Sequence, residues 1–361
     1  MFLVVRQSKP HEGAVRPFLN LVHGLSGKIE TSIALYGCGG SLVEYVKGLE
    51  IPLISTQSRD ELLEAIRCNP PDFVVCDDNM ASLRTLNSLD INHIAKLVVY
   101  AQVLYGAHSI ADCFDLGSVD TRDRIVFSLS KWIPFSVLRR IYVNALGNDK
   151  IIIANSKATA NLLQTFYGID VQGIVYPPID TEVFRPSDDT KNSLALTLYL
   201  GSRAGDTRID FIRKIIKEIR KNDHLVNLFG SEMLSTILKH DFTELQYLEY
   251  LDDKKLSDIY SQSILTVCPQ KWETFGLVPV ESMACGTPVL AFNCMGHQET
   301  IINGKTGLLA ESYVDFLSLL ERSLTDNMGK FRETVLRNHV VDNFSIPVCA
   351  DHLVTSLRKS V

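Results

Sequence analysis

Short apolar runs alternate with amphipathic stretches along the first half of the chain. The runs "FLVVRQ", "TSIALYG", "IPLIS", "DFVVCDD", "KLVVYAQ" and "KIIIANS" are rich in Val and Ile, and turn residues or segments of helical period bound them. Apolar runs of this kind, separated by helices, predict parallel strands buried on both faces. A doubly wound α/β domain over residues 1–178 follows. The stretch "VYPPIDTEVFRPSDDTKNS" then breaks the pattern with Pro, Asp and Ser, and reads as an interdomain linker over residues 179–193. Alternation resumes in "LALTLYLG", a long helix from about Asp210 to Lys221, "LVNLFG", "LQYLEYL", "ILTVCP" and "PVLAF". A second domain of the same kind is expected over 194–345. Residues 346–361 are helical in pattern, and their packing partner cannot be read from periodicity.

Composition narrows the class without naming a chemistry. A chain of 361 residues is long for one core and suits two domains. With 46% hydrophobic and 22% charged residues it is globular in character, and a formal charge of −6 argues against a broad nucleic-acid-binding face. No apolar stretch reaches the length of a membrane span. The opening "MFLVV" runs straight into Arg6 and reads as a first strand rather than a signal peptide. Eight scattered cysteines form no C-x-x-C pair and sit in apolar surroundings, which suits small hydrophobes in a reduced, cytoplasmic setting.

Chemistry concentrates in "KWETFGLVPVESMACGTPVLAF". A strand ending near Pro269 leads to Thr274 as the expected N-cap of a helix, which Gly286-Thr287-Pro288 would stop before the next strand. The helix start would offer the N–H groups of Phe275, Gly276, Leu277 and Val278 and the positive end of its dipole to a phosphate. Glu273 stands on the lip of that crevice, and Glu281 follows eight residues later. Carboxylates suit the adjacent hydroxyls of a sugar or ribose. Spacing alone fits equally a helix-terminal acid and a solvated surface acid.

The wider context changes that balance. The stretch "ETFGLVPVESMACGTPVLAF" resembles the E-x7-E signature of retaining glycosyltransferases of the GT-B fold, family 4 (glycosyl transferases group 1). "MGHQETIINGKTGLL" resembles the Gly-rich loop, acid and following turn of that family, and "ANSKATANLLQTFYG" with "VYPPIDTEVFRP" resembles the end of its first domain. The resemblance implies a GT-B architecture, two Rossmann-like domains facing across a cleft. It implies that Glu273 and the N–H groups of Phe275, Gly276 and Leu277 hold the transferred sugar and the β-phosphate, and that Glu281 binds the ribose. "LYLGSRAGDTR" corresponds to a glycine-and-cation segment that neutralises the diphosphate, with Gly201, Ser202, Arg203 and Arg208 in its places and no lysine at the usual spacing. Tyr250 and Leu251 would lie near the nucleobase. On the acceptor side, His11, Glu12 and Gly13 would edge the cleft, with one glycine where the family has two. Gln102 stands where many relatives carry a histidine, and His108 lies six residues on.

The activity implied is transfer of a sugar from a nucleoside diphosphate sugar to a hydroxyl of a glycan, lipid or small molecule, with retention of anomeric configuration. No D-x-D occurs in the chain, so metal-independent chemistry without a further cofactor is expected. The alternatives are a GT-B epimerase or phosphorylase, and a catalytically weak relative that binds a nucleotide sugar or a partner transferase. "SKWIPFSVLRRIYVNAL" combines Lys131, Trp132, Phe135, Arg139 and Arg140, a composition that fits a membrane surface or a domain helix with a solvated basic edge.

Overall fold

A computed structural model describes residues 1–5, 7, 15–102, 135–187, 195–201, 208–242, 245–248, 251–325 and 331–359. They fall into two units, one of residues 1–102, 135–178 and 344–359, the other of residues 179–343.

In the first unit every apolar run named above is a strand: β1 (Phe2–Val5), β2 (Ile33–Tyr36), β3 (Leu53–Thr56), β4 (Phe73–Asp77), β5 (Lys96–Ala101) and β6 (Ile151–Ala154). The two-residue β7 (Gly173–Ile174) adds an edge that its sequence does not announce. All pair in parallel in the order β3-β2-β1-β4-β5-β6-β7. The helices are α1 (Val15–Leu25), α2 (Gly40–Lys47), α3 (Arg59–Cys68), α4 (Met80–Leu89), α5 (Phe135–Leu146) and α6 (Lys157–Leu162), which runs on as a π-helical turn, Leu163–Tyr167. Ser58, Asn79 and Ser156 cap α3, α4 and α6, each accepting from an N–H three residues on.

The second unit repeats the plan. Its strands are β8 (Ala195–Tyr199), β9 (Leu225–Phe229), β10 (Gln246–Tyr247), β11 (Leu265–Cys268), β12 (Val289–Phe292) and β13 (Gly307–Ala310), in the order β10-β9-β8-β11-β12-β13. Among the described residues the expected strand "LQYLEYL" pairs at Gln246–Tyr247, and the expected turn "GKTGLL" supplies the edge strand β13. Helices α7 (Ile209–Lys221), α8 (Glu232–Asp241), α9 (Asp253–Gln262), α10 (Leu277–Ala284), α11 (His297–Thr300), α12 (Tyr313–Thr325) and α13 (Glu333–Phe344) join and cover the strands. Residues 181–185, expected in the interdomain linker, are held on this unit. Arg337 of α13 donates to the carbonyls of Thr181 and Phe184, and Ser261 donates to that of Arg185.

The final helix, α14 (Ile346–Lys359), belongs to the first unit. Cys349, Ala350, Leu353 and Leu357 join a core with Phe18, Leu21 and Val22 of α1 and with Phe2 and Val4 of β1. Gly24 lets the two helices touch, since a Cβ there would stand 2.7 Å from Ile346 Cγ2 and 2.9 Å from Ala350 Cβ. Of the described cysteines five are buried, Cys294 is half-buried and Cys68 is exposed, all of them free thiols.

Candidate donor site of the second unit

In both sheets the strand order reverses between the first and fourth strands, and crevices for ligands form beyond the carboxyl ends of strands at such switch points. In the second unit the switch lies between β8 and β11. Gln270, just past β11, donates from Nε2 to the carbonyl of Tyr199 at 2.8 Å and ties the two strand ends together. Gly201 leaves β8 in the left-handed region at φ 86°, with its carbonyl accepting from the Ser231 N–H at 2.8 Å. Arg208 sits in the N-cap position of α7, its guanidinium carbon 5.6 Å from the centre of the Tyr313 ring.

The segment after β11 is pinned by the one after β12. Cys294 Sγ donates to the carbonyl of Lys271 at 3.2 Å, and the N–H of Gly296 donates to that of Glu273 at 2.9 Å. Gly296 lies directly on Phe275, where a Cβ would come within 2.4–2.5 Å of backbone atoms. This close approach sets the helix start. α10 begins at Leu277, and its N-cap is Gly276 at φ 96°, a left-handed conformation that glycine adopts without strain. Thr274 is therefore not the cap. The expected row of donors changes with it. The Phe275 N–H is directed to Glu273 Oε1 at 3.3 Å, and Pro279 in the first turn has no N–H, which leaves Gly276, Leu277 and Val278 to lead the helix.

Glu273 is half-buried, and its Cγ lies 3.5 Å from where a Cβ on Gly276 would stand. Glu281 is only 1% exposed, so the solvated-acid reading does not hold. Its Oε2 accepts from the hydroxyl of Tyr260 at 3.2 Å, a fully buried ring on α9. Leu251 is half-buried just ahead of α9. His297, which the sequence reading passed over, lies beside Gly276, its Cδ2 3.3 Å from the Cβ position there. Its Nδ1 has no hydrogen-bond partner among the described residues, and burial lowers its pKa to about 4, opposed in part by the Phe292 carbonyl.

In the first unit the switch lies between β1 and β4. His11, Glu12 and Gly13 lie outside the described residues, as do His108, Ser202, Arg203, Tyr250, Lys131 and Trp132. Gln102 follows β5, and its N–H donates to Asp78 Oδ1 at 2.9 Å. Asp78 is fully buried and also accepts from the Tyr142 hydroxyl at 2.8 Å. Asp77, at the end of β4, accepts from Ser82 Oγ and from Asn79 Nδ2, while burial raises its carboxyl to about 6 against the pull of the Ser82 bond. On α5, Arg139 turns to its own chain, donating to the carbonyls of Phe166 and Tyr167. Among the described residues no helix is long and apolar enough to cross a membrane, and no three His, Cys, Asp or Glu side chains gather to hold a metal ion.

Residues 181–338, nearly the whole second unit, match the family model for glycosyl transferases group 1. That segment is a glycosyl transferases group 1 domain. Its relatives include the D-inositol 3-phosphate glycosyltransferase of Rhodococcus erythropolis (strain PR4 / NBRC 100887), 26% identical over 236 residues, 58% of this chain and 53% of that protein. The chain spans about half the length of the curated relatives it matches. Two solved structures match along nearly all of both chains. Anabaena Alr3699/HepE, in complex with UDP and glucose, has a TM-score of 0.72 at 14% identity, with 99% of each chain covered. Sucrose-phosphate synthase from Thermosynechococcus elongatus has a TM-score of 0.74 at 16% identity, covering 99% of this chain and 98% of that one. The fold is GT-B in class, built from two Rossmann-like units.

Proposed function

We propose that this glycosyl transferases group 1 chain moves a sugar from a nucleoside diphosphate sugar to an acceptor hydroxyl on a glycan, lipid or small molecule, with retention at the anomeric carbon and without a metal ion or further cofactor. The observation that carries the reading is the β8/β11 switch point, where the glycine-capped start of α10 follows Glu273, Glu281 is buried within α10, and Arg208 stands at the start of α7, the helix that follows β8. Support for the donor class comes from the solved relative whose complex holds UDP and glucose.

Each group then has a physical task. The bond from the anomeric carbon to the β-phosphate oxygen breaks as the acceptor oxygen bonds to the same carbon, and negative charge grows on the diphosphate. The N–H groups of Gly276, Leu277 and Val278, the helix dipole, Arg208 and Arg203 stabilise that charge where it develops. Glu273 orients the transferred sugar through its hydroxyls. Glu281, with Tyr260 holding one of its oxygens, binds the ribose. A departing phosphate oxygen takes the acceptor proton on the same face, so an amide at Gln102 in place of a base is tolerated. Ser202, Tyr250 and Leu251 complete the donor side, and His11, Glu12, Gly13, Gln102 and His108 the acceptor side.

The test compares binding and hydrolysis of UDP-, GDP- and ADP-sugars, without added metal, in the wild type, Glu273→Gln and Glu281→Gln. Glutamine is preferable to alanine at 281, because truncation would remove the acceptor that Glu281 offers the buried Tyr260 hydroxyl. One donor class should bind selectively. Glu273→Gln should keep that binding and lose turnover by about 100-fold or more, as loss of a group acting in the transition state does. Glu281→Gln should weaken donor binding. A wild type that binds no nucleotide sugar would overturn the reading.

A further inference from the structure

The family resemblance assigns the diphosphate two cations on the segment after β8, and no lysine stands there at the usual spacing. A lysine does stand at the same switch point, on the opposite strand. Lys271 follows β11 by three residues and precedes Glu273 by two. Its Nζ lies 4.1 Å from the centre of the Tyr313 ring and 5.1 Å from that of Phe292, the last residue of β12. The same Tyr313 ring carries Arg208 at 5.6 Å. One ring therefore lies near two cations, Lys271 just past β11 and Arg208 at the start of α7.

Among the described residues Lys271 has no carboxylate in ion-pair range and no acceptor for its ammonium. An aromatic face attracts a cation through its quadrupole but fills none of its three N–H donors. An ammonium left in that state on a half-buried residue, with a guanidinium near the same ring, is suited to an anion of high charge density with several acceptor oxygens. Its backbone is fixed for the purpose. The carbonyls of residues 271 and 273 are both held by the 294–296 segment, so Lys271 and Glu273 are positioned as one piece with the start of α10.

We propose that Lys271 is a donor-binding residue whose ammonium contacts the diphosphate beside Arg208, with Tyr313 holding both cations at the switch point. The proposal rests on the donor reading above. It differs from a purely structural role, in which Lys271 only packs on Tyr313, in what removal of the charge does to different ligands.

The experiment measures binding of UDP, GDP and ADP by calorimetry, and of the corresponding free nucleosides by ligand-observed NMR, to the wild-type chain, Lys271→Met and Lys271→Arg. Unfolding temperatures without ligand are recorded alongside. Methionine keeps an apolar stem against the rings and removes the charge. Lys271→Met should bind the cognate diphosphate at least about tenfold more weakly, as loss of a charge-assisted contact does, while the nucleoside binds as before. Lys271→Arg should restore most of the diphosphate affinity. Diphosphate binding unchanged in Lys271→Met, or diphosphate and nucleoside weakened alike, would overturn the proposal while leaving the donor reading intact. A wild type that binds none of the three diphosphates would remove the donor reading and this proposal together.

Discussion

At the scale of single residues, two buried titratable groups give the units opposite responses to acid. Asp77 ends β4 with its carboxyl raised to about 6 by burial, so between pH 4 and 6 the folded chain holds a proton that the unfolded chain has lost. Its contribution is full below pH 4 and is lost as pH rises through 6. His297 is lowered to about 4, so between pH 4 and 6.5 the unfolded chain binds the extra proton. Its contribution is full above 6.5 and is lost as pH falls through 4. Each effect is on the order of 3 kcal/mol. Asp77→Asn should remove a fall in stability with rising pH over that window, and His297→Leu should remove a rise. Denaturant unfolding of each variant from pH 4 to 7 measures both slopes. Neither group was singled out from the sequence. "DFVVCDD" shows two aspartates at a strand end and "MGHQET" shows a histidine after a glycine, but burial is what perturbs them, and burial comes from β5, α4 and the 272–276 segment, which are distant or only adjacent in sequence.

At the scale of elements, the strands were legible and the helix start was not. Continuous Val and Ile runs can be buried on both faces only in a sheet, and each such run in the first unit became a strand. Thr274 carries a local capping signal, yet the helix begins at Leu277 because Gly296 presses its backbone onto Phe275 and turns the chain through Gly276. Two glycines far enough apart to belong to different loops thus decide where the N–H groups point. Gly296→Ala should therefore cost about 1–3 kcal/mol in stability through overpacking and should weaken donor binding as well, because the added methyl meets backbone rather than a movable side chain. Calorimetric unfolding and a donor titration on the same preparation would register the two effects.

At the scale of the whole molecule, the chain ends in the unit where it begins. α14 supplies four side chains to the first unit's core, and its contact with α1 depends on Gly24. Leu353→Ala, at 1% exposure, should lower stability by about 2–4 kcal/mol while leaving donor affinity unchanged, since the residues proposed to bind the donor belong to the second unit. Thermal unfolding monitored beside nucleotide binding would separate the two.

Sequence alone determined the class of structure, because the period and composition of apolar runs dictate which segments can be buried in parallel sheets, and consecutive strands with intervening helices wind in one way. It also offered Glu273 and Glu281 as candidates through the resemblance of one local stretch to a family motif, and Arg208 as the candidate cation of a segment whose spacing departs from the family's. Tertiary structure alone decided the rest. Glu281 is buried against Tyr260, Lys271 and Arg208 meet on Tyr313, and α14 returns to α1, and all three bring together residues whose separation along the chain carries no periodic or local signal. Contacts of that kind exist only once the sheet order has placed β8, β11 and β12 side by side.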